Sequence, residues 1–80
     1  MKEVEVRLYA NLGKYQPEHA SGEALVIKLD DEAELGDLLN KLKIPREEVA
    51  IAMVNGKSER ESYIIQDKDR IGIFPPIGGG

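Results

Sequence analysis

Val4, Val6 and Leu8 alternate with Glu3, Glu5 and Arg7. Period two over residues 2–9 predicts a half-buried strand, with Tyr9 on its polar face. From Asn11 to Gly22 no period holds, and Gly13, Pro17 and Gly22 interrupt the stretch, so a loop with a helical turn is expected. Leu25, Ile27 and Leu29 alternate with Val26 and Lys28 as a second strand. Leu35, Leu38, Leu39 and Leu42 then follow the i, i+3, i+4, i+7 stripe of an amphipathic helix. Asp30 or Asp31 is the expected N-cap, with Glu34 three residues after Asp31 as in a capping box. Lys41 and Lys43 suit the helix C-terminus, and Ile44-Pro45 is the expected stop. Gly36, unfavourable inside a helix, is read as allowing close approach to a sheet.

Arg46-Glu47-Glu48 reads as a polar link. Val49 to Val54 is nearly all apolar, which predicts a strand covered on both faces or central in its sheet. Asn55-Gly56 supplies a tight turn, Ser58 to Ser62 a polar loop, Tyr63-Ile64-Ile65 a short apolar segment and Asp67-Lys68-Asp69 another turn. The last strand, Arg70 to Phe74, points Ile71 and Ile73 inward and Gly72 and Phe74 outward.

One helix crossing one face of a mixed sheet is an α+β architecture. With the first and last strands as parallel neighbours, it is the β-grasp, or ubiquitin-like, layout. The expected organisation is a domain over 1–74 and an extended, flexible Pro-Pro-Ile-Gly-Gly-Gly tail over 75–80. In that layout Arg7 and Tyr9 share the outer face with Phe74. A large apolar group at the root of a tail is a plausible partner anchor; the alternative is that Phe74 lies against the returning loop.

Composition narrows the chemistry. The chain has 80 residues, and one so short buries only about 60–65% of its unfolded surface. It has no cysteine, which excludes a thiol nucleophile, a CxxC redox pair and a thiolate zinc site. Fifteen acids against eleven bases argue against a nucleic-acid surface. The acidic excess is N-terminal and densest in Asp30-Asp31-Glu32-Ala33-Glu34, where it suits a helix start. No apolar run reaches the ~20 residues of a membrane span. The opening Met1-Lys2-Glu3-Val4-Glu5 is no signal region, so no membrane association and a cytoplasmic location are expected. His19, the one imidazole, lies in a polar loop without evident partners. No metal site and no bound cofactor are expected.

The C-terminus is the unusual feature. With eight glycines in the chain, a terminal triplet arises by chance roughly once in a thousand. Pro75-Pro76 cannot continue a central strand and favours an extended course. Beyond Phe74 the six remaining steps reach at most about 20 Å. Glycines without Cβ can thread a narrow channel and present the Gly80 carboxylate. A carboxylate can attack an activated phosphate to form a mixed anhydride and then accept sulfur or form an amide. This chain lacks the ATP site and nucleophile for those steps, so a partner must supply them.

Leu8-Tyr9-Ala10-Asn11-Leu12, Leu35-Gly36-Asp37-Leu38-Leu39, Val54-Asn55-Gly56 and the run from Asp67 through Phe74-Pro75-Pro76 to Gly79-Gly80 resemble the MoaD/ThiS family of ubiquitin-like sulfur carriers. The Phe-Pro-Pro-x-x-Gly-Gly ending is the specific part, and it looks most like the molybdopterin synthase small subunit. The triple glycine ending at Gly80 is shared with some thiamine-type carriers. The resemblance implies a non-enzymatic carrier that acts as a co-substrate. An E1-like adenylating enzyme (MoeB/ThiF-like) with ATP would activate Gly80, and a sulfur donor would convert the adenylate to a thiocarboxylate. A molybdopterin synthase large subunit (MoaE-like) would take the tail, Ile77, Gly78 and Gly79 included, into its active site, with Phe74, Pro75 and Pro76 as the tail base. The pterin product would serve a molybdenum or tungsten cofactor. Alternatives are a thiamine-type or tRNA-thiolation carrier, a ubiquitin-like protein modifier, and a plain binding module with an inert tail.

Overall fold

The structure is a computed structural model that describes residues 1–16 and 22–76. The alternating N-terminal segment forms β1 (Lys2–Leu8), a 3-10 helix follows over Ala10–Tyr15, and β2 spans Ala24–Leu29. The leucine stripe forms α1 (Leu35–Lys41), and Arg46–Glu48 is a second 3-10 helix. Then come β3 (Ile51–Val54), β4 (Lys57–Ser58) and β5 (Arg70–Phe74). The sheet order is β2-β1-β5-β3-β4. The first and last strands are parallel neighbours, with Val6 opposite Ile71 and Leu8 opposite Ile73; the other pairs are antiparallel. This is the expected α+β, β-grasp arrangement.

The inward sides of the strands meet the leucine face of α1. Val4, Val6, Leu8, Ile71 and Ile73 from the sheet, Leu35, Leu38 and Leu39 from the helix, and Leu12 and Ile65 from the connections are all buried. Ile27, expected inward with Leu25 and Leu29, is only half-buried and packs on the margin of this core. It sits on the edge strand β2, between the buried Leu25 and Leu29.

Several local expectations need correction. The helix starts at Glu34, not at Asp30 or Asp31, because residues 30–33 close a turn (Ala33 N–H to the Asp30 carbonyl, 3.0 Å). The first free helix amides need no upstream carboxylate: Leu35 and Gly36 donate to the Tyr63 and Glu61 carbonyls at 2.9 Å. Asp37 Oδ2 reaches back to the Glu34 N–H at 2.8 Å. The helix also ends early. Lys43 takes φ 62°, and Lys43 and Ile44 donate to the Asn40 and Leu39 carbonyls, the bonding of a Schellman cap.

Gly36 does not face the sheet. A Cβ there would meet Glu61 Oε1 at 3.1 Å and Arg46 Nη2 at 3.4 Å. Arg46 bonds the Gly36 carbonyl and Asn40 Oδ1, each at 3.0 Å, and Glu61 Oε1 at 2.5 Å, so it ties the second 3-10 helix to α1. The segment Val49–Val54 is central but not covered on both faces. Only Ile51–Val54 pairs as β3, and Ile51 is 46% exposed because α1 covers one side of the sheet alone. Part of the expected loop after Asn55-Gly56 is the short strand β4, paired Val54 to Lys57. The loop histidine His19 lies outside the described residues.

Asp69 is a buried charged residue, 4% exposed. It accepts from Asn55 Nδ2 (2.8 Å), the Tyr63 hydroxyl (2.7 Å) and the Gln66 N–H (2.8 Å). Burial, and then this carboxylate, push the Tyr63 phenol up to about 12. A second polar tie joins the two 3-10 helices, where the Tyr15 hydroxyl and Lys14 both donate to Glu48. Those bonds hold the Glu48 carboxyl below its ordinary range.

Candidate functional site

Because α1 takes one side of the sheet, the opposite side is open. Strand alternation sends Glu5 and Arg7 from β1, Arg70, Gly72 and Phe74 from β5, and Ile51 and Met53 from β3 to that side. Tyr9 follows β1 directly and is held by its N–H to the Ile73 carbonyl at 3.1 Å. The Tyr9 and Phe74 rings stack with centroids 4.5 Å apart and planes within 4°. Phe74 is still 37% exposed and lies opposite Ile51 in the β3–β5 register.

The stack needs a bare floor. A Cβ on Gly72 would come within 3.2 Å of Tyr9 Cε2 and 3.3 Å of Phe74 Cε1. On the other side of the Tyr9 ring, a Cβ on Gly22 would touch Cε1 at 3.5 Å. Two glycines thus frame the tyrosine. Together these groups line a shallow groove of about 390 Å³, apolar along Met53, Gly72 and Phe74 and flanked by Arg7 and Arg70. Arg7 is steadied by Glu5 (3.5 Å) and the Gly22 carbonyl (3.4 Å).

The tail leaves from the end of this groove. Ala50 N–H donates to the Phe74 carbonyl at 2.8 Å. Pro75 and Pro76 have no N–H, so ladder pairing cannot continue through them. Of the expected site residues, the structure brings Arg7, Tyr9 and Phe74 together on one face, with Pro75 and Pro76 beside them. Ile77, Gly78, Gly79 and Gly80 lie outside the described residues. One ring face of Phe74 lies on Tyr9, and the ring remains partly exposed. Sequence reasoning did not single out Met53 or Arg70 as groove residues. Their outward parity was available, but the apolar run that holds β3 left open whether one face of that strand or both were covered.

Another hollow, of about 430 Å³, lies beside Lys28, Asp30, Asp37 and Lys41, away from the tail root. Among the described residues no three histidine, cysteine or acidic side chains gather as a metal site. No helix among them is long and apolar enough to cross a membrane.

The fold recurs in known structures. Small archaeal modifier protein 1 from Haloferax volcanii is similar at 21% identity and TM-score 0.75, over 98% of this chain and 99% of that one. A Pyrococcus furiosus protein assigned as molybdopterin converting factor, subunit 1, is similar at 22% identity and TM-score 0.75, over 96% and 100%. Small archaeal modifier protein 1 from Methanosarcina acetivorans shares 27% identity at TM-score 0.68, over 100% and 98%. No curated protein matches the chain in sequence. The resemblance to small ubiquitin-like carriers and modifiers therefore holds at the level of the fold. The model of the family described as Mut7-C ubiquitin matches residues 1–78, and the chain belongs to that family.

Proposed function

We propose that this protein is a sulfur carrier whose reactive group is the carboxylate of Gly80. The observation that carries the reading is the open groove at the tail root, where Tyr9 and Phe74 stack beside the point at which Pro75-Pro76 leaves the sheet. That face offers a handle for another protein, and six residues beyond Phe74 can reach at most about 20 Å, enough to enter an active site. The domain over 1–74 is the handle, and residues 75–80 carry the reactive end.

In the proposed cycle an E1-like enzyme binds the groove and supplies ATP. The Gly80 carboxylate attacks the α-phosphorus, forming an acyl adenylate and releasing pyrophosphate. A sulfide equivalent from a sulfur donor displaces AMP and leaves a thiocarboxylate. The tail then enters a synthase large subunit, which passes the sulfur to a pterin precursor of a molybdenum or tungsten cofactor, and water restores the carboxylate. The likeness in fold to a molybdopterin converting factor subunit favours a pterin acceptor.

A second reading is favoured by the likeness to small archaeal modifier proteins. In it the same adenylate is taken by a lysine amine of another protein, forming an isopeptide bond. Intact-mass measurement on protein from its native host separates the two. A carrier shows Gly80 as the final residue and a species heavier by about 16 Da, sulfur in place of oxygen. A modifier instead shows ladders of larger, cross-linked proteins. If neither appears, and a purified cognate activating enzyme catalyses no pyrophosphate exchange into ATP with this chain, the terminal carboxylate is not the reactive centre.

A further inference from the structure

The β3–β4 hairpin turns on Asn55-Gly56, with φ 51° and 85°. Three hydrogen bonds tie this turn to the start of β5. Asn55 N–H donates to the Arg70 carbonyl (2.8 Å), Arg70 N–H donates back to Asn55 Oδ1 (3.0 Å), and Asn55 Nδ2 donates to Asp69 Oδ1 (2.8 Å). Asp69 is fixed in turn by Tyr63 and Gln66 on its other oxygen. The asparagine therefore spends both ends of its side-chain amide on Asp69 and Arg70, where the chain enters β5, although the turn itself is exposed to water.

An asparagine followed by glycine is chemically vulnerable, because glycine has no side chain to hinder its own peptide nitrogen. The turn is open here: a Cβ on Gly56 would meet no atom within 4 Å. Protection must come from the latch on the asparagine side chain. We propose that Asn55 is a latent deamidation site, kept closed by its hydrogen bonds to Asp69 and Arg70, whose modification irreversibly unlatches the hairpin from β5.

The chemistry needs only water. When the side chain is released, the Gly56 peptide nitrogen attacks Asn55 Cγ. The new N–Cγ bond replaces Cγ–Nδ2, and ammonia leaves with the proton of the peptide nitrogen. Water then opens the resulting succinimide at one carbonyl or the other, giving aspartate or isoaspartate at position 55. Either product places a carboxylate where a donor had met Asp69. The bond is lost and two like charges face each other, so the latch cannot close again. The isoaspartate product also adds a carbon to the main chain of the turn. Gly56 and Arg70 line the same groove as Phe74, so the event introduces a negative charge beside the proposed docking face. The inference does not depend on what the tail does.

The test follows deamidation at neutral to mildly alkaline pH by peptide mapping of position 55 in the full chain. Wild type, Asp69→Ala and Leu38→Ala are compared, each folded and in denaturant. Leu38 is fully buried on α1 and makes none of the latch bonds, so its variant lowers overall stability without touching the latch. The folded wild type is expected to keep Asn55 far longer than the denatured chain. Asp69→Ala should lose it at least roughly tenfold faster than wild type, the factor that corresponds to one lost bond to a charged group. Leu38→Ala should remain protected while folded. In an Asn55→Asp variant, amide exchange should quicken at residues 55 and 70 but not in α1. Equal rates for folded and denatured wild type would overturn the proposal. So would equal acceleration by Asp69→Ala and Leu38→Ala, or unchanged exchange at residues 55 and 70.

Discussion

Gly72→Ala separates what the groove does for stability from what it does for recognition. The glycine lies in β5 on the open side of the sheet, and its φ is not in the left-handed region. Alanine can therefore adopt the backbone, and restricting the unfolded chain favours the variant by about 0.4–1 kcal/mol. Against this, the added methyl meets Tyr9 Cε2 at 3.2 Å and Phe74 Cε1 at 3.3 Å. Both neighbours are ring edges on an exposed face, so they can tilt away by a few tenths of an ångström. Tilting sacrifices part of a stacked pair whose whole worth is about 0.5–1.5 kcal/mol. The two effects nearly cancel, and net stability should change by less than about 1 kcal/mol, or about 8 °C in Tm at this size. The rings, however, lose their parallel arrangement. In proton NMR the ring-current shifts of Tyr9 and Phe74 should relax toward free values, while urea unfolding stays close to wild type. A loss above about 2 kcal/mol would refute the reasoning, because it would mean the rings cannot yield. Unchanged ring shifts would refute it equally, because the bare floor would then not be what holds the stack.

Phe74→Ala should still fold, losing about 0.5–1.5 kcal/mol of ring stacking beyond the apolar area it uncovers. Its affinity for the activating enzyme, measured by calorimetry, should fall by about 1–3 kcal/mol, as for a partly buried anchor. Wild-type affinity would remove Phe74 from the docking face. Lys43→Gly should stabilise by up to about 1 kcal/mol, read as a higher urea midpoint, because glycine takes the left-handed cap position without a Cβ penalty. Tyr63 is protonated more tightly in the folded chain, at about 12, than an ordinary phenol. Its contribution is therefore complete below about pH 10, the unfolded value, and fades as pH rises toward the folded one. Unfolding measured along that alkaline range should show the decline in wild type and a smaller one in Tyr63→Phe. Deleting Gly79 and Gly80 should leave Tm unchanged yet abolish adenylate formation; retained activity would mean an inert tail.

Much of the fold was legible because its signals are local. The alternation of β1, the leucine stripe of α1, the Asn55-Gly56 turn and the outward parity of Phe74 each depend on residues a few positions apart. They were enough to propose a β-grasp and to place Arg7, Tyr9 and Phe74 on one side. Errors appeared where a distant segment took over a local task. Asp30 and Asp31 suit an N-cap, yet the carbonyls of Glu61 and Tyr63 satisfy the first helix amides, so the helix begins later. The apolar run from Val49 fitted a strand covered on both faces or one central in its sheet; the structure makes it central, because a single helix covers only one face.

By itself, then, the chain determined its main elements, the inward and outward faces of β1 and β5 and the proline-glycine character of its end. Those features follow from backbone geometry, side-chain periodicity and residue type. Tertiary structure decided the parallel register of β1 and β5, which lays Tyr9 flat on Phe74 over the bare Gly72. It also decided that Asp69, an ordinary turn residue by sequence, is buried as the knot between Asn55, Tyr63 and Gln66. Contacts of this kind join residues far apart in the chain, and no local pattern encodes them. They arise only when burial of the common core fixes which strands are neighbours.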